Sequence, residues 1–343
     1  MAANEAGNAS EMRDAFSAAL IELGRERDDI IVLDADLNTS SKTVGFMREF
    51  PNRSYQVGIA EQDLMGIAAG LALEGFIPFP STFAVFATRR ALDQIAISIS
   101  YPALNVKIPG SYAGLPTSRA GASHIAIEDL AVMRVLPNMR VADPGSGLDL
   151  RAVIRTAVET PGPVYFRITR VTIPELFGPD HRFEWGRGEV LRRGRDVTLF
   201  GTGMMSWLCG LAADILAKDG IDAEVVHLAS VKPIDTDLIV ESAARTRCAV
   251  TAENASIIGG FGAAVLEALA ERSPVPLVRV GVRDRWVDSG STDDLFAHHQ
   301  MNPGDIAAAA RRSIAIRDGA DGRPGSVAGG ARAILNRPEG KHS

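Results

Sequence analysis

The stretch "YQVGIAEQDLMGIAAGLALEGF", Tyr55 to Phe76, decides how the first part of the chain folds. A short apolar run ends at Glu61, and a segment rich in Ala and Gly with a helical pattern follows it. The small side chains of this segment suit close packing against another surface. The face in question is formed by Gly66, Ala69, Gly70 and Leu73.

Glu61 is an unusual residue to find between an apolar turn and such a helix. A Glu in the first turn of a helix commonly just complements the helix dipole. Here the preceding residues Ile59 and Ala60 are apolar. Burial disfavours the anionic form of a carboxylic acid, so a group in this setting can share a proton at neutral pH. We therefore expect Glu61 to donate a proton to a ring nitrogen of a ligand.

The composition is that of an ordinary globular chain of about two domains. It has 343 residues, 46% hydrophobic and 23% charged, with a formal net charge of −6 and no Lys and Arg cluster, which argues against a nucleic-acid partner. Cys209 and Cys248 lie far apart in apolar segments, as expected of free thiols in a reducing compartment. The N-terminus shows no signal peptide, and no run is long enough to cross a membrane. We expect a cytoplasmic protein.

Apolar runs alternate with amphipathic segments along the chain, and the runs are continuous, which favours parallel sheets covered on both faces. The strands predicted in the first half are "DIIVLDADL", "FIPFPSTF", "LNVKIPGSY", "MRVADP" and "PVYFRITR". Those predicted in the second half are "DVTLFGTG", "DAEVVHLASV", "RCAVTAEN" and "PLVRVGV". Helices are expected at about 10–23, 61–74, 84–100, 126–136 and 146–159. The predicted organisation is an α/β unit over 1–172, a linker over 173–189, a second α/β unit over 190–315 and a flexible tail over 316–343.

The longer stretch "VGIAEQDLMGIAAGLALEGFIPFPSTFAVF" resembles the pyrimidine-binding domain of transketolases. The resemblance covers the chain from about Arg13 to about Ala310. It implies an α/β thiamine diphosphate-binding fold, the pyrimidine domain, followed by a transketolase C-terminal-domain-like α/β unit. In that family the Glu of this motif bonds the N1′ atom of the cofactor's aminopyrimidine, which would be the role of Glu61. The helix behind it would pack at a subunit interface, where these cofactors bind.

The resemblance extends to further cofactor-binding positions. Phe83 and Phe86 match the rings that surround the pyrimidine, although two Phe residues also suit simple core packing. Ile59 matches the apolar contact before the Glu. Asp36 matches an Asp near the thiazolium ring, although an Asp at the end of a strand is also a common turn residue.

The substrate positions are carried over in the same way. His124, in the "SHxxxED" context, matches a catalytic His that holds the donor's hydroxyls and moves protons, while its alternative role is to cap a helix that starts near Ile127. Arg13, Ser40 and Arg167 match positions that contact sugar phosphates, a task that suits the arginine fork.

Two positions depart from the family pattern. Tyr112 stands where a typical transketolase has a phosphate-facing His, and Ala120 where it has an Asp that contacts a donor hydroxyl. We keep Tyr112 among the substrate-contacting residues and expect an unusual donor sugar.

Half of the family's cofactor site is missing from this sequence. The diphosphate and its Mg²⁺ are held in the family by a Gly-Asp-Gly motif with a later Asn, and nothing here fits that motif. There is also no paired-cysteine metal site, and we predict no metal ligands in this chain. The Gly-rich segments "GTGMMS" and "GGFGAA" are interpreted as tight turns. The resemblance is therefore to the C-terminal half of a split transketolase, which needs an N-terminal partner subunit in an α2β2 assembly.

The predicted activity is the transfer of a two-carbon ketol unit from a ketose phosphate to an aldose acceptor, with thiamine diphosphate as the cofactor. The enzymatic alternatives are the beta subunit of a 2-oxo acid dehydrogenase and a deoxyxylulose-phosphate synthase-like enzyme. A third alternative is a non-catalytic binding subunit that keeps only the fold.

Overall fold

The computed structural model describes residues 9–319, which form two α/β units. The predicted tail lies outside the described residues from 320 onward, as do residues 1–8. Within the described range, no helix combines the length and apolar character that a membrane crossing would require.

Within residues 9–319, fourteen strands and twelve α-helices make up the two units. The strands are β1 (Ala9–Glu11), β2 (Ile30–Asp34), β3 (Ser54–Gln56), β4 (Ile77–Phe83), β5 (Lys107–Ser111), β6 (Arg140–Ala142), β7 (Val164–Ile168), β8 (Thr172–Pro174), β9 (Glu189–Arg192), β10 (Val197–Gly201), β11 (Ala223–His227), β12 (Ser230–Lys232), β13 (Ala249–Ser256) and β14 (Leu277–Val282). The helices are α1 (Met12–Glu26), α2 (Asn38–Ser41), α3 (Val44–Glu49), α4 (Glu61–Leu73), α5 (Ala84–Arg89), α6 (Asp129–Val135), α7 (Gly147–Glu159), α8 (Met205–Lys218), α9 (Thr236–Thr246), α10 (Phe261–Arg272), α11 (Thr292–His298) and α12 (Pro303–Arg317). A π-helix, Gln94–Ser100, and two 3₁₀ segments, Pro51–Arg53 and Leu115–Ala120, complete them.

The first unit is built on a seven-stranded sheet in the order β12-β6-β7-β5-β4-β2-β3. All its neighbouring strands are parallel except β12, which runs antiparallel to β6. Every residue of β2, β5 and β7 is buried, because helices cover both faces of the sheet. One face packs Phe16, Phe79 and Phe166 together, and the other packs Leu33 and Leu64. The predicted α/β fold with parallel strands is confirmed.

The second unit has a five-stranded sheet in the order β14-β13-β10-β11-β9, parallel except for β9. Helices α8 and α12 pack together on one side, and α9 and α10 on the other. Cys209 and Cys248 are both free and buried, as predicted.

The prediction of a single strand over "DAEVVHLASV" is wrong. The segment contains two strands, and β12 leaves the second unit to join β6 of the first sheet. The turn is fixed by a backbone bond of 2.9 Å from the Asp143 N–H to the Ala229 carbonyl. A long-range bond of this kind leaves no mark in the local hydrophobic pattern.

The single helix expected at 84–100 is also wrong. Helix α5 ends at Arg89, and the π-helix begins only at Gln94. The Ala91 N–H bonds the Phe86 carbonyl five residues back at 3.3 Å, a wider turn than an α-helix makes. The break lies next to Arg90, whose side chain reaches Glu61.

Candidate active site

The carboxyl ends of five adjacent parallel strands, β7, β5, β4, β2 and β3, meet at one edge of the first sheet. Ligands of parallel α/β sheets bind outside this edge, because the loops that follow the strands converge there. The predicted site residues from Asp36 to Tyr112 all lie at the ends of these strands or in the loops and helices that follow them.

Glu61 is the first residue of α4 and is only 1% exposed. Its Oε2 atom accepts a bond of 2.6 Å from Nη1 of Arg90, whose side chain is 45% exposed. Its Oε1 atom is buried and has no partner among the described residues. An unpaired buried carboxyl oxygen is costly, so this atom is available for a ligand group.

Three rings form a cluster that Arg90 links to this carboxyl group. Phe83 and Phe86 stack with 5.8 Å between their centroids and an interplanar angle of 16°. The His124 ring meets Phe86 edge-on at 5.3 Å, and its Nδ1 atom is 2.8 Å from the Ser123 hydroxyl. The Arg90 guanidinium lies 4.5 Å from the Phe86 centroid, so the same arginine contacts both the acid and the aromatic pair.

Tyr112 joins this cluster from the end of β5. Its ring is stacked on Phe83 at 4.2 Å, and its φ of +59° is a strained value for a bulky side chain. Nη1 of Arg13 donates to the Tyr112 hydroxyl at 2.9 Å and to the Ser40 carbonyl at 2.8 Å. Arg13 is also paired with Glu11, so one carboxylate already balances its charge. The structure thus brings Arg13, Ser40 and Tyr112 together.

Arg167 does not join this cluster. It is 1% exposed, and its guanidinium bonds Asp129 at 2.8 Å, Asp143 at 3.2 Å and the Asn254 carbonyl at 3.0 Å. Burial opposes its charge, but the two carboxylates outweigh burial and raise the pKa of Arg167 above its ordinary value. A guanidinium held in this way is not free to contact a substrate, so the prediction for Arg167 needs correction.

Arg170, three residues further on, lies beside Tyr112 where Arg167 was expected. It is exposed, it lies 5.1 Å from the Tyr112 ring centroid, and it forms no ion pair within residues 9–319. A signal in the sequence could have found it. Strand β7 ends at Ile168, and residues just beyond the carboxyl end of a parallel strand are those that face a ligand.

Asp36 and Ile59 are both exposed. Asp36 has a φ of +61°, and its N–H donates to Oε1 of Gln56 at 2.6 Å. Ile59 is 74% exposed in the turn before Glu61, a large apolar side chain left open. The sequence prediction missed Asp34, whose buried carboxylate accepts bonds from Leu37, Thr43 and Gln56 and fixes the loop after β2.

The second unit holds the loop that carries His124. The Leu115 N–H donates to Oδ1 of Asn254 at 2.9 Å, and the Ser289 hydroxyl donates to the Arg119 carbonyl. Gly114 has a φ of +74°, and a Cβ there would overlap Asn254, so only glycine fits. Ala120 lies exposed in this loop and brings no polar group.

A second contact between the units involves His227. It bonds the Ser206 hydroxyl at 2.6 Å and Asp149 at 2.9 Å, and His181 bonds the other oxygen of Asp149 at 3.1 Å. Burial raises the pKa of Asp149, but the bonds from His181 and His227 outweigh it and hold this pKa below its ordinary value. These side chains join the two units and lie outside the Glu61 site.

The residues at the edge of the first sheet fit one part of a pyrimidine cofactor. The free Oε1 of Glu61 offers a bonding partner for a ring nitrogen, and Phe83 and Phe86 offer an apolar wall beside it. Among residues 9–319, no three His, Cys, Asp or Glu side chains are grouped so that they could hold a metal ion.

Two family models match the sequence. "Transketolase, pyrimidine binding domain" matches residues 8–175, and "Transketolase, C-terminal domain" matches residues 186–306. The chain belongs to the transketolase family. Members of this family depend on thiamine diphosphate, the cofactor whose pyrimidine the Glu61 site fits.

Transketolases encoded in two pieces are among the similar proteins. The "6-deoxy-6-sulfo-D-fructose transketolase subunit SqwH" of Clostridium sp. (strain MSTE9) is 42% identical over 87% of this chain and 93% of its own length. One of the subunits of the apulose-4-phosphate transketolase of Phocaeicola vulgatus is 34% identical over 87% of this chain and 95% of its own length. A solved structure titled "Split gene transketolase, inactive beta4 tetramer" is 50% identical, has a TM-score of 0.85, and matches over 91% of this chain and 100% of that one. The prediction of a C-terminal transketolase subunit is confirmed.

Proposed function

We propose that this subunit, together with an N-terminal partner subunit, transfers a two-carbon ketol unit from a ketose with a terminal anion to an aldose. The observation that carries the proposal is Glu61, a carboxylic acid 1% exposed with one oxygen bonded to Arg90 and the other free. It stands at the family's pyrimidine-binding position.

Glu61 acts on the pyrimidine ring. When bound, thiamine diphosphate supplies the carbon nucleophile that this reaction needs. The free Oε1 of Glu61 shares a proton with the ring nitrogen, and the bond from Arg90 holds the carboxyl group in place for this contact. Phe83 and Phe86 exclude water from the ring, while Ile59 and Asp36 contact the cofactor from the loops before α4 and after β2.

His124 serves the donor sugar. Its Nδ1 is held by the Ser123 hydroxyl, so its Nε2 is left for the substrate. The ring lies beside Phe86 and therefore beside the proposed pyrimidine site. In this position His124 binds the donor's hydroxyls and moves a proton to or from the oxygen of the reacting carbonyl.

Arg13 and Arg170 bind the terminal anion of the donor. They lie 5.3 Å and 5.1 Å from the Tyr112 ring, and the hydroxyl groups of Tyr112 and Ser40 are the further donors of this anion subsite. The Arg170 fork, which forms no ion pair within residues 9–319, is the main anion contact and suits a phosphate or a sulfonate equally well. Arg13 lies beside it with its guanidinium held by Glu11, the Tyr112 hydroxyl and the Ser40 carbonyl. Because Ala120 lacks the acid that selects a donor hydroxyl in typical transketolases, the enzyme accepts an altered ketose. A sulfonated ketose such as the one named for the Clostridium relative is our favoured donor.

The partner subunit supplies the diphosphate and Mg²⁺ ligands. It packs against the exposed apolar surface around α4, where a Cβ at Gly66 or Gly70 would meet nothing within 4 Å. Large apolar side chains stay open beside it, as at a subunit interface. These are Ile59, Leu73, Ile97 and Tyr101. We propose an α2β2 assembly.

Reconstitution tests this proposal. The chain alone should show no turnover and only weak binding of thiamine diphosphate, whereas a mixture with the partner subunit, the cofactor and Mg²⁺ should transfer ketol units. Micromolar binding of the cofactor by the chain alone would contradict the split-subunit assignment. Pyruvate, offered with and without an aldehyde phosphate, detects the oxo-acid dehydrogenase and deoxyxylulose-phosphate synthase activities in the same assay.

Competition between donors tests the substrate. We expect 6-deoxy-6-sulfo-D-fructose to have a higher kcat/KM than xylulose 5-phosphate. If xylulose 5-phosphate is preferred by more than about tenfold, or about 1.4 kcal/mol in transition-state binding, the replacements at Tyr112 and Ala120 are neutral and the enzyme is a conventional transketolase in two pieces.

A further inference from the structure

A cavity of about 220 Å³ opens between β14 and α12, at the outer edge of the second unit. None of the residues of the Glu61 site lines it. The polar residues that line it come from β14, from the turns on either side of α11, and from α12. They are Arg279, Arg283, His299, Gln300, Asp305 and Arg312.

The charge of this cavity is positive. Three guanidinium groups face one carboxylate, and Asp305 already accepts the Asn302 N–H at 3.0 Å to cap α12. Arg279 uses one nitrogen to bond the Ile257 carbonyl at 2.7 Å. Within residues 9–319 the ion pairs include none of these three arginines. Uncompensated arginine forks around a cavity suit an oxyanion, because each can bond two oxygens at once.

His299 is the second observation that points to a ligand. The residue is 5% exposed, and both of its ring nitrogens are buried without a partner among the described residues. Leaving a buried donor unpaired costs on the order of 1–3 kcal/mol, so such groups in folded proteins normally find a partner. An anion in the cavity would accept a bond from this ring.

The backbone of β14 adds donors to the same cavity. Four consecutive residues of the strand, 278–281, line the cavity. Successive side chains point to opposite faces of a sheet, so a cavity on one face alone would meet only every second residue. The cavity therefore touches the strand's outer edge. Within the described chain β14 pairs only with β13, so N–H groups on this edge are open.

We propose that this cavity binds a phosphate group, a second anion site separate from the donor subsite of the first unit. Its volume is below the roughly 300–1,000 Å³ of pockets that hold drug-sized ligands, so the ligand is small. A neighbouring cavity of about 210 Å³ shares Arg279, Arg283 and Arg312 and leaves room for a few carbon atoms. The ligand class is inorganic phosphate or a small phosphomonoester.

Calorimetric titration of the full chain tests this proposal, in a buffer free of phosphate and sulfate. The probes are inorganic phosphate, glycerol 3-phosphate and, as the uncharged control, glycerol. We expect both phosphates to bind and glycerol not to bind. Tighter binding of glycerol 3-phosphate assigns the site to an organic phosphate, and tighter binding of inorganic phosphate assigns it to the free ion.

Variants of neighbouring arginines locate the binding. Arg312→Gln should weaken phosphate binding at least tenfold. Arg311→Gln is the matched control, because Arg311 is next to it on α12 but pairs with Asp219 at 3.0 Å, and binding should change less than twofold. His299→Gln should also weaken binding, and thermal melting of each variant verifies that it is folded.

Four results would overturn the proposal. One is the absence of phosphate binding by the unaltered chain, and another is equal loss in the Arg311→Gln and Arg312→Gln variants. The third is that Arg170→Gln loses all phosphate binding while Arg312→Gln keeps it, because the phosphate would then occupy the proposed donor subsite. A change in oligomeric mass of Arg312→Gln without phosphate binding would likewise show that the cavity is a contact between copies.

Discussion

Glu61 and Glu253 are two buried glutamates with opposite settings. Both lie near the start of a helix at the carboxyl edge of a parallel sheet, Glu61 in the first unit and Glu253 in the second. Both oxygens of Glu253 accept backbone N–H groups, from Phe261 at 2.7 Å and Gly262 at 2.8 Å. Within residues 9–319, Glu61 bonds Arg90 through one oxygen, and its second oxygen has no partner. The two carboxyl groups are almost equally buried, and the unused bonding capacity of Glu61 is what distinguishes it as the candidate functional acid.

The surroundings of the two glutamates differ in the same way. Around Glu61, stacked rings and two arginines border an open edge. Around Glu253 the backbone packs so closely that a Cβ on Gly260 would overlap the Glu253 carboxylate. The same α/β plan thus provides an open edge in one unit and a closed edge in the other.

The largest expected effect is on catalysis. Glu61→Gln in the reconstituted enzyme should lower kcat by about 10²–10⁴, because it removes the group that shares a proton with the cofactor. Its urea-unfolding free energy should change by no more than about 1 kcal/mol, because Gln keeps one oxygen to accept the Arg90 bond and Oε1 makes no bond within residues 9–319. Glu253→Gln is the matched control and should keep its turnover per folded subunit. Near-normal turnover of Glu61→Gln would remove the basis of the proposed function.

The next effect separates Arg167 from Arg170. Arg167→Gln leaves Asp129 and Asp143 buried with reduced pairing and should cost about 3–5 kcal/mol of unfolding free energy. Arg170→Gln should leave stability unchanged and raise KM for an anionic donor about tenfold or more, with a smaller effect on an uncharged ketose. Steady-state kinetics and urea unfolding of both variants measure this contrast. A stable Arg167 variant with the raised KM would reverse the two assignments.

The third effect is a pH dependence of stability that arises at Glu253. Burial raises the pKa of Glu253 from 4.5 to about 7, although the N–H groups of Gly262 and Phe261 act in the opposite direction. Between those pH values the folded state holds more protons than the unfolded state, so the contribution to stability is complete below pH 4.5 and is lost as the pH rises through 7. The loss is at most about 3 kcal/mol.

This contribution is measured by unfolding the protein at about pH 5 and at about pH 8, which lie on either side of the raised pKa of Glu253. The protein concentration is the same in both experiments. The difference in unfolding free energy between wild type and Glu253→Gln should be larger at the lower pH than at the higher one. A difference that is the same at both values, or larger at the higher pH, would show that the Glu253 carboxyl is not protonated in the folded protein.

The smallest effect concerns Tyr112. Tyr112→Phe removes the hydroxyl that accepts the Arg13 bond but keeps the ring stacked on Phe83, so the fold should be retained. One hydrogen bond contributes about 0.5–1.5 kcal/mol, and we therefore expect KM for an anionic donor to rise about two- to tenfold. Steady-state kinetics measure the change, with an uncharged ketose as the control. An equal rise of KM for both donors would place the Tyr112 hydroxyl outside the anion subsite.

The sequence by itself determined the two α/β units and the position of Glu61 at the start of α4. Continuous apolar runs are local features, and the family motif around Glu61 spans consecutive residues. It also singled out Phe83, Phe86 and His124, which the fold brings within about 6 Å of one another. What such patterns record is the periodicity and chemistry of neighbouring residues.

Only the tertiary structure decided which groups are free. From the sequence alone, Arg167 and Arg170 are equally good candidates for an anion contact. In the folded chain Arg167 bonds the buried Asp129, 38 positions away, whereas Arg170 is exposed. The bond from Arg90 to Glu61 spans 29 positions, and the crossing of β12 to the first sheet joins segments almost 90 positions apart. The charge and bonding capacity of a side chain are local properties. Whether that capacity is used depends on partners that only the folded chain brings within about 3 Å.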